Sequence, residues 1–169
     1  MSKKFFGKYR GTVFQNLDPL AIGRLQVTVP DVSGLTPSEW AMPCFPCAGP
    51  HMGIWALPPI GAGIWVEFEQ GDLSRPIWTG CWYARSADVP AQAHGVGSTN
   101  STIVLQTAGQ NSISISDVPG PDGGIQIKTA AGAVLSINDA GINLTNGKGA
   151  VIAMNGPAVT INNGALAII

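Results

Sequence analysis

The stretch VLSINDAGINLTNGKGAVIAMN, residues 134–155, alternates apolar and polar side chains in short runs. Its apolar residues occur as pairs two positions apart, which are Leu135/Ile137, Ile142/Leu144 and Ile152/Met154. A spacing of two places both members of a pair on the same face of a β-strand. Asn, Asp and Gly, which favour turns, lie between the pairs. The stretch therefore predicts consecutive short strands, each with one apolar face.

The same pattern extends over residues 101–169. Successive pairs begin seven to twelve residues apart, and the other pairs are Ile103/Leu105, Ile113/Ile115, Ile125/Ile127, Val159/Ile161 and Leu166/Ile168. A short strand-and-turn repeat of this kind predicts a β-solenoid or β-helix.

One strand per repeat supplies only one wall of a core, so a single chain cannot enclose it. Three copies wound about a common axis would bury the pairs, and the seven pairs from Ile103 to Ile161 would form the core. Polar side chains between them would face outward, namely Ser114, Gln126, Lys128, Ser136, Asn143 and Thr160. We therefore predict an intertwined trimeric β-helix, here called the needle, with strand ladders running between chains.

The first half of the chain has a different composition. All Trp, Phe and Tyr residues lie at or before Tyr83, and the rest of the chain has none. Residues 89–100 are small and include several polar residues and two glycines, which is typical of a connector. The predicted domains are therefore 1–88, the connector 89–100 and the needle 101–169.

Residues 1–88 contain short strand patterns separated by Gly and Pro. The clearest is Gly63–Glu69, where Ile64, Val66 and Phe68 alternate with polar or outward side chains. The other predicted strands are Lys8–Phe14, Gly23–Val29, Glu39–Cys44 and Pro76–Trp82. This density of strands, without a helical period, predicts a small closed β-barrel and an all-β chain.

Composition limits the classes of partner. The net charge is −1, which argues against nucleic acid as a ligand. Charged residues make up 11% of the chain, against about 25% in typical soluble domains. Such a low share indicates that much of the surface is buried in an assembly. The N-terminus, MSKKFFGKYR, lacks the apolar run of a signal peptide, so we expect synthesis in the cytoplasm without one.

The first half also resembles a known family. The motifs are Gly23–Val27 (GRLQV), Leu57–Gly61 (LPPIG), Val66–Phe68 (VEF) and Gly71-Asp72, in that order. This pattern is similar to the OB-fold domain of contractile-tail spike proteins, which include phage baseplate spikes, the VgrG proteins of type VI secretion and spikes of extracellular injection particles. The repeat that follows resembles the triple-stranded β-helix of that family.

The resemblance implies a structural, non-enzymatic spike that pierces a target-cell membrane as part of a phage tail or injection particle. It implies a homotrimer, a separate hub protein bound at the barrel end and no cofactor. It also implies a PAAR-type tip protein at the other end, in contact with Leu166, Ile168 and Ile169. The alternative function is an OB-fold module on a β-stalk that recognises a surface glycan.

Three groups of side chains suggest other chemistry. Cys44, Cys47, His51 and Cys81 comprise a CxxC spacing, one His and a further thiol, which is the donor set of a zinc site. Buried structural thiols are the alternative that we favour, because the second half of a zinc motif is missing. Glu67 and Glu69 have the spacing of paired carboxylates on one strand face, but such pairs are usually solvated. The five Trp residues suggest either core packing or a stacking platform for sugars or single strands.

Overall fold

The computed structural model describes residues 3–94 and 100–168. The chain divides into two compact units, 1–88 and 89–169. Within the described residues, no helix has the length and apolarity needed to cross a membrane.

The first unit is a five-stranded barrel. Its elements are β1 (Tyr9–Gln15), β2 (Gln26–Thr28), α1 (Pro30–Ser33), β3 (Met42–Pro43), β4 (Ala48–Gly49), β5 (Met52–Gly53), β6 (Gly63–Phe68) and β7 (Pro76–Trp82). Five strands pair in the order β2-β1-β6-β7-β3, with β3 parallel to β7 and the other pairs antiparallel. Bridges from Leu25 to Ala41 and from Thr28 to Pro37 join β2 to the segment before β3 and close the barrel.

Alternation in β6 explains where the barrel core lies. Ile64, Val66 and Phe68 are buried, while Trp65 and Glu67 between them are only half-buried, as the sequence predicted. The remaining buried hydrophobic residues come from all parts of the barrel and are Val13, Leu25, Val27, Val29, Ala41 and Trp78.

Several barrel elements differ from the predictions. The strand expected over Glu39–Cys44 is reduced to the two residues of β3, Met42–Pro43. The strand expected over Gly23–Val29 is only three residues long, and Pro30 begins the one-turn helix α1, where a missing N–H costs nothing. A small hairpin, β4–β5, lies between β3 and β6 and was not predicted. Its strands have two residues each, too few to show a period.

The β1–β2 loop is organised by Asp18. The Asp18 carboxylate accepts hydrogen bonds from the backbone N–H groups of Leu20, Ile22 and Arg24 at 3.0 to 3.2 Å. It also pairs with the Arg24 guanidinium at 2.7 Å, and its side chain is only 3% exposed. The loop is therefore held in one conformation by a single carboxylate.

This hydrogen-bond network predicts that the stability of the barrel depends on pH. The Arg24 guanidinium and the three N–H groups hold the pKa of Asp18 well below its usual range. A carboxyl whose pKa is lower in the folded state stabilises the fold above its unfolded pKa of about 3.9, and the effect is lost as pH falls towards the folded pKa. We expect Asp18→Asn to lower the barrel melting temperature by several degrees at pH 7, and by a smaller amount at pH 2.5, which lies between the folded and unfolded pKa values.

Tryptophan fluorescence measures this melting selectively, because all five Trp residues lie in the first unit. Asp31→Asn, in the first turn of α1, is the matched control and should have little effect at either pH. An equal loss for Asp18→Asn at both pH values would show that its charge does not stabilise the loop.

The second unit is one antiparallel meander. Its strands are β8 (Thr102–Gln106), β9 (Ser112–Ser116), β10 (Gly124–Lys128), β11 (Val134–Asn138), β12 (Gly141–Thr145), β13 (Val151–Asn155), β14 (Ala158–Ile161) and β15 (Leu166–Ile168). Each strand pairs with the next in chain order. The ladders therefore run within one chain, which corrects the inter-chain ladders that we expected. Short turns bring each strand back beside its predecessor before another chain could intervene.

Short 3₁₀ turns occur between the strands, at Glu69–Gly71, Ser86–Asp88, Ala91–Ala93 and Asn162–Gly164. The third of these lies in the segment that the sequence predicted to be a connector. The fourth precedes β15 and contains Asn162 and Asn163 with positive φ, a conformation that Asn tolerates better than most residues.

Candidate trimer interface

The apolar pairs of the second unit are aligned by strand register. Opposite pairs in adjacent strands match at every junction, so that Ile115 faces both Ile103 and Ile125, and Ile137 faces both Ile125 and Ile142. Two continuous rows result. The first row is Ile103, Ile115, Ile125, Ile137, Ile142, Met154 and Val159, with the backbone of Ile168 paired to Val159 at its end; the second is Leu105, Ile113, Ile127, Leu135, Leu144, Ile152, Ile161 and Leu166. One face of the sheet therefore consists of two rows of large aliphatic side chains.

These rows are exposed within a single chain. Most of these side chains are exposed, from 66% at Leu105 to 38% at Ile142 and Ile152. Leu135, Val159 and Ile161 are half-buried, whereas Ile64 and Val66 in the barrel core are fully buried. The opposite face carries Ser114, Gln126, Ser136 and Asn143 in register, followed by Ala153 and Thr160. Ser114, which we expected to face outward, is only 7% exposed. A contiguous apolar face of this size on a soluble chain marks an interaction surface.

Burial of this face provides the driving force for association. Complete burial of an Ile or Leu side chain contributes about 1.5–3 kcal/mol relative to full exposure. Because each strand from β8 to β14 contributes two large apolar side chains to the rows, three sheets packed on these faces would form a continuous apolar core. The individual core residues remain predictions, but the structure places them on one face.

Hydrogen bonds between neighbouring turns stabilise the two ends of the sheet, where the strands begin and end. Asn111 Oδ1 accepts from the Ala130 N–H at 3.1 Å, and Asn162 Oδ1 accepts from the Val151 N–H at 3.1 Å. At the opposite end of the strands, Asp139 Oδ2 accepts a hydrogen bond from the Gly120 N–H at 3.0 Å. From the sequence these residues were predicted only to form turns. Their partners lie 11 to 19 positions away, so local sequence gives no signal for these bonds.

The proposed tip contact lies partly outside the described residues. Leu166 is 54% exposed and pairs with Ile161, which places it at the end of the second apolar row. The backbone of Ile168 belongs to β15, but its side chain, like the whole of Ile169, lies outside what the structure describes. A contact of these three residues with a tip protein therefore stays a prediction.

The thiols do not form a metal site in the described part of the chain. Cys44, Cys47 and His51 line one surface groove of the barrel, and Cys81 lies on β7. All three thiols are exposed, which corrects our expectation of buried ones. Over residues 3–94 and 100–168, no group of three or more His, Cys, Asp or Glu side chains is arranged to bind a metal ion. The geometry thus gives no support to the zinc alternative.

The two carboxylates on β6 and after it have separate partners. Glu67 pairs with Lys8 at 2.7 Å, and Glu69 pairs with Arg75 at 2.8 Å. Because β6 ends at Phe68, Glu69 belongs to the following turn and does not extend the same strand face. These residues form surface ion pairs, which lack the arrangement of a general acid and base.

The five Trp residues are distributed over separate parts of the barrel. Trp78 is in the core, with its indole N–H donating to the Gly23 carbonyl, and Trp40 stacks under Arg24. Trp65 and Trp82 flank Arg10, and Trp55 is 60% exposed near the β4–β5 hairpin. They do not form a single stacking platform, which weakens the glycan-binding alternative.

Comparison with known families agrees with this geometry. Residues 9–83 match the model of the type VI secretion system/phage-baseplate injector OB domain. Residues 102–167 match the model of the phage baseplate V C-terminal trimerisation domain. Comparison with curated proteins found no match.

The two matches are consecutive and together cover most of the chain, with the barrel as the OB domain and the apolar-faced sheet as the trimerisation domain. The predicted all-β, spike-like architecture is thus confirmed, and the trimerisation domain supports a homotrimer. The barrel therefore belongs to the phage-baseplate and type VI injector OB domains and the sheet to the phage baseplate V C-terminal trimerisation domains, which supports a structural role in an injector spike.

Proposed function

We propose that the protein is the membrane-piercing central spike at the tip of a contractile injection machine. The observation that carries this proposal is the one-sided apolar sheet, which follows an injector OB domain and matches a trimerisation domain. A needle made from three such sheets would be thin, polar outside and densely packed inside. These are the properties that a rod needs to transmit axial force.

Resistance to unfolding under load follows from the same design. Each inner strand of the sheet pairs on both sides within its chain, and each apolar row would be covered by the other two chains. Unfolding one chain would expose the rows of all three, so we expect a high barrier and slow unfolding. This property suits a needle that is driven through a membrane.

The two ends of the chain have different proposed partners. The barrel, residues 1–88, would dock on a trimeric hub protein, with residues 89–100 as the connector to the needle, residues 101–169. The C-terminal end of the needle would bind a PAAR-type tip protein. The protein would be made in the cytoplasm and incorporated into a phage tail or injection particle.

Particles that assemble with this protein test the proposal. We expect cryo-electron microscopy of such particles to show threefold needle density at the centre of the baseplate. We also expect particles without the protein to lose killing or injection. The absence of the protein from the baseplate, or full activity of particles that lack it, would contradict the proposed function.

A further inference from the structure

The barrel has an exposed apolar patch that the proposed spike function does not explain. It consists of six large side chains from the β1–β2 loop and from the segment around β5, here called the loop patch. Its members, each between 44% and 78% exposed, are Leu17, Leu20, Ile22, Met52, Ile54 and Trp55. Ile22, Met52, Ile54 and Trp55 line the same groove, and large contiguous apolar side chains of this kind mark an interaction site on a folded domain.

The two segments share one surface. Ile22, Met52, Ile54 and Trp55 line a single groove of about 970 Å³. The Phe45 and Trp55 rings, with centroids 5.3 Å apart, pack over the loop at Gly23. A Cβ at Gly23 would lie 2.9 Å from the Phe45 ring, so only glycine permits this close approach.

The part of the loop patch that comes from the β1–β2 loop is ordered by hydrogen bonds although it is exposed. The Asp18 carboxylate holds the backbone N–H groups of Leu20 and Ile22 directly, and Arg24 is fixed between Asp18 and Trp40. A surface that is already ordered loses little conformational entropy when a partner binds. This arrangement favours a built contact surface over an incidental hydrophobic exposure.

The patch is also poor in charge. Asp18 and Arg24 neutralise each other, and the described residues that line the groove include no Asp, Glu, Lys or Arg. Permanent subunit contacts are more apolar than transient ones. The same chain carries a trimerisation domain, which holds three barrels at a high effective concentration.

We propose that the loop patch packs against the barrel of a neighbouring copy in the trimer. The barrels thus form a second subunit contact, separate from the apolar face of the needle. This inference rests on the trimeric spike proposed above. It places Ile54 and Trp55 at the centre of the contact between barrels.

Native thiols measure this contact in the full-length protein. Cys44 and Cys47 line the groove, whereas Cys81 lies outside it on β7. All three are exposed in a single chain. Partial burial raises the pKa of the Cys81 thiol, so Cys81 reacts more slowly than an ordinary exposed thiol. If the groove is uncovered, Cys44 and Cys47 should therefore react with a labelling reagent faster than Cys81. If a neighbouring barrel covers the groove, they should react more slowly than Cys81.

The experiment is maleimide labelling at pH 7 under reducing conditions, with sites quantified by peptide mass spectrometry and the solution mass measured in parallel. In the wild-type trimer we expect Cys44 and Cys47 to label at least tenfold more slowly than Cys81. Ile54→Asp should abolish this protection while the mass stays trimeric, because the needle still holds the chains together. Leu35→Asp, at another strongly exposed apolar position of the barrel, is the matched control and should leave the protection unchanged.

The outcomes separate this inference from the proposed function. A trimer in which Cys44 and Cys47 label faster than Cys81 overturns the contact between barrels and leaves the trimeric spike intact. A monomeric mass overturns both. Loss of protection in Leu35→Asp as well as in Ile54→Asp would overturn the assignment of the contact to the loop patch.

Discussion

Replacement of Ile137 by Asp is expected to dissociate the trimer. Ile137 lies near the middle of the first apolar row, between Ile125 and Ile142, and is 42% exposed in a single chain. In a trimer the substitution would bring three carboxylates into one apolar layer. Burial of an unpaired charge costs several kcal/mol per ion, and the three charges also repel one another. Light scattering should show the mass fall from three chains to one chain of 17.5 kDa.

The adjacent residue provides the matched control. Ser136 is on the same strand, but its side chain lies on the opposite face, in register with Gln126 and Asn143. Ser136→Asp should therefore leave the trimer intact. Dissociation by Ser136→Asp but not by Ile137→Asp would mean that the chains associate through the other face of the sheet.

Replacement of Gly124 by Ala is expected to destabilise the needle strongly. Gly124 begins β10 with φ of 74°, and a Cβ there would lie 2.1 Å from the Ile137 carbonyl oxygen. That oxygen belongs to the neighbouring strand, so the backbone of β10 or β11 must move. Because such movement disturbs the register of the apolar rows, we expect a loss of about 3 kcal/mol or more per chain. The temperature at which the trimer dissociates on a detergent gel measures this loss.

Substitution of Gly120 by Ala distinguishes the effect of the steric clash at Gly124 from the effect of backbone strain. It has a similar φ of 87°, but a Cβ there would meet no atom within 4 Å. Gly120→Ala should therefore cost only the left-handed strain of about 1–2 kcal/mol. Equal losses for the two variants would show that the close approach of β10 and β11 does not constrain the needle.

The strands of the needle and their common apolar face were predicted well because the pattern that indicates them is local. Each pair, such as Leu135 and Ile137, identifies a strand and its apolar face within five residues. Turn residues between the pairs indicate where strands end. The register and the pairing partner of each strand depend on all the turns together and cannot be read from the local pattern. We therefore expected ladders between different chains, whereas in the structure the ladders run within one chain.

The barrel was predicted less completely because some of its structure depends on distant contacts. Alternation identified β6 and its buried face, and the strand expected over Pro76–Trp82 has the same bounds as β7. The β4–β5 hairpin is too short to show a period. The Asp18 network joins residues whose importance appears only when the loop has folded. Glu67 and Glu69 looked like a pair in sequence, but their cations, Lys8 and Arg75, come from other parts of the barrel.

The solution mass of the full-length protein tests the central claim most directly. Light scattering, together with a denaturing gel of unheated protein, measures whether three chains associate through the apolar face. The trimeric spike predicts a mass three times that of the 17.5 kDa chain and a band that resists detergent until it is heated. A mass of one chain, with a band that runs as a monomer before heating, would contradict it.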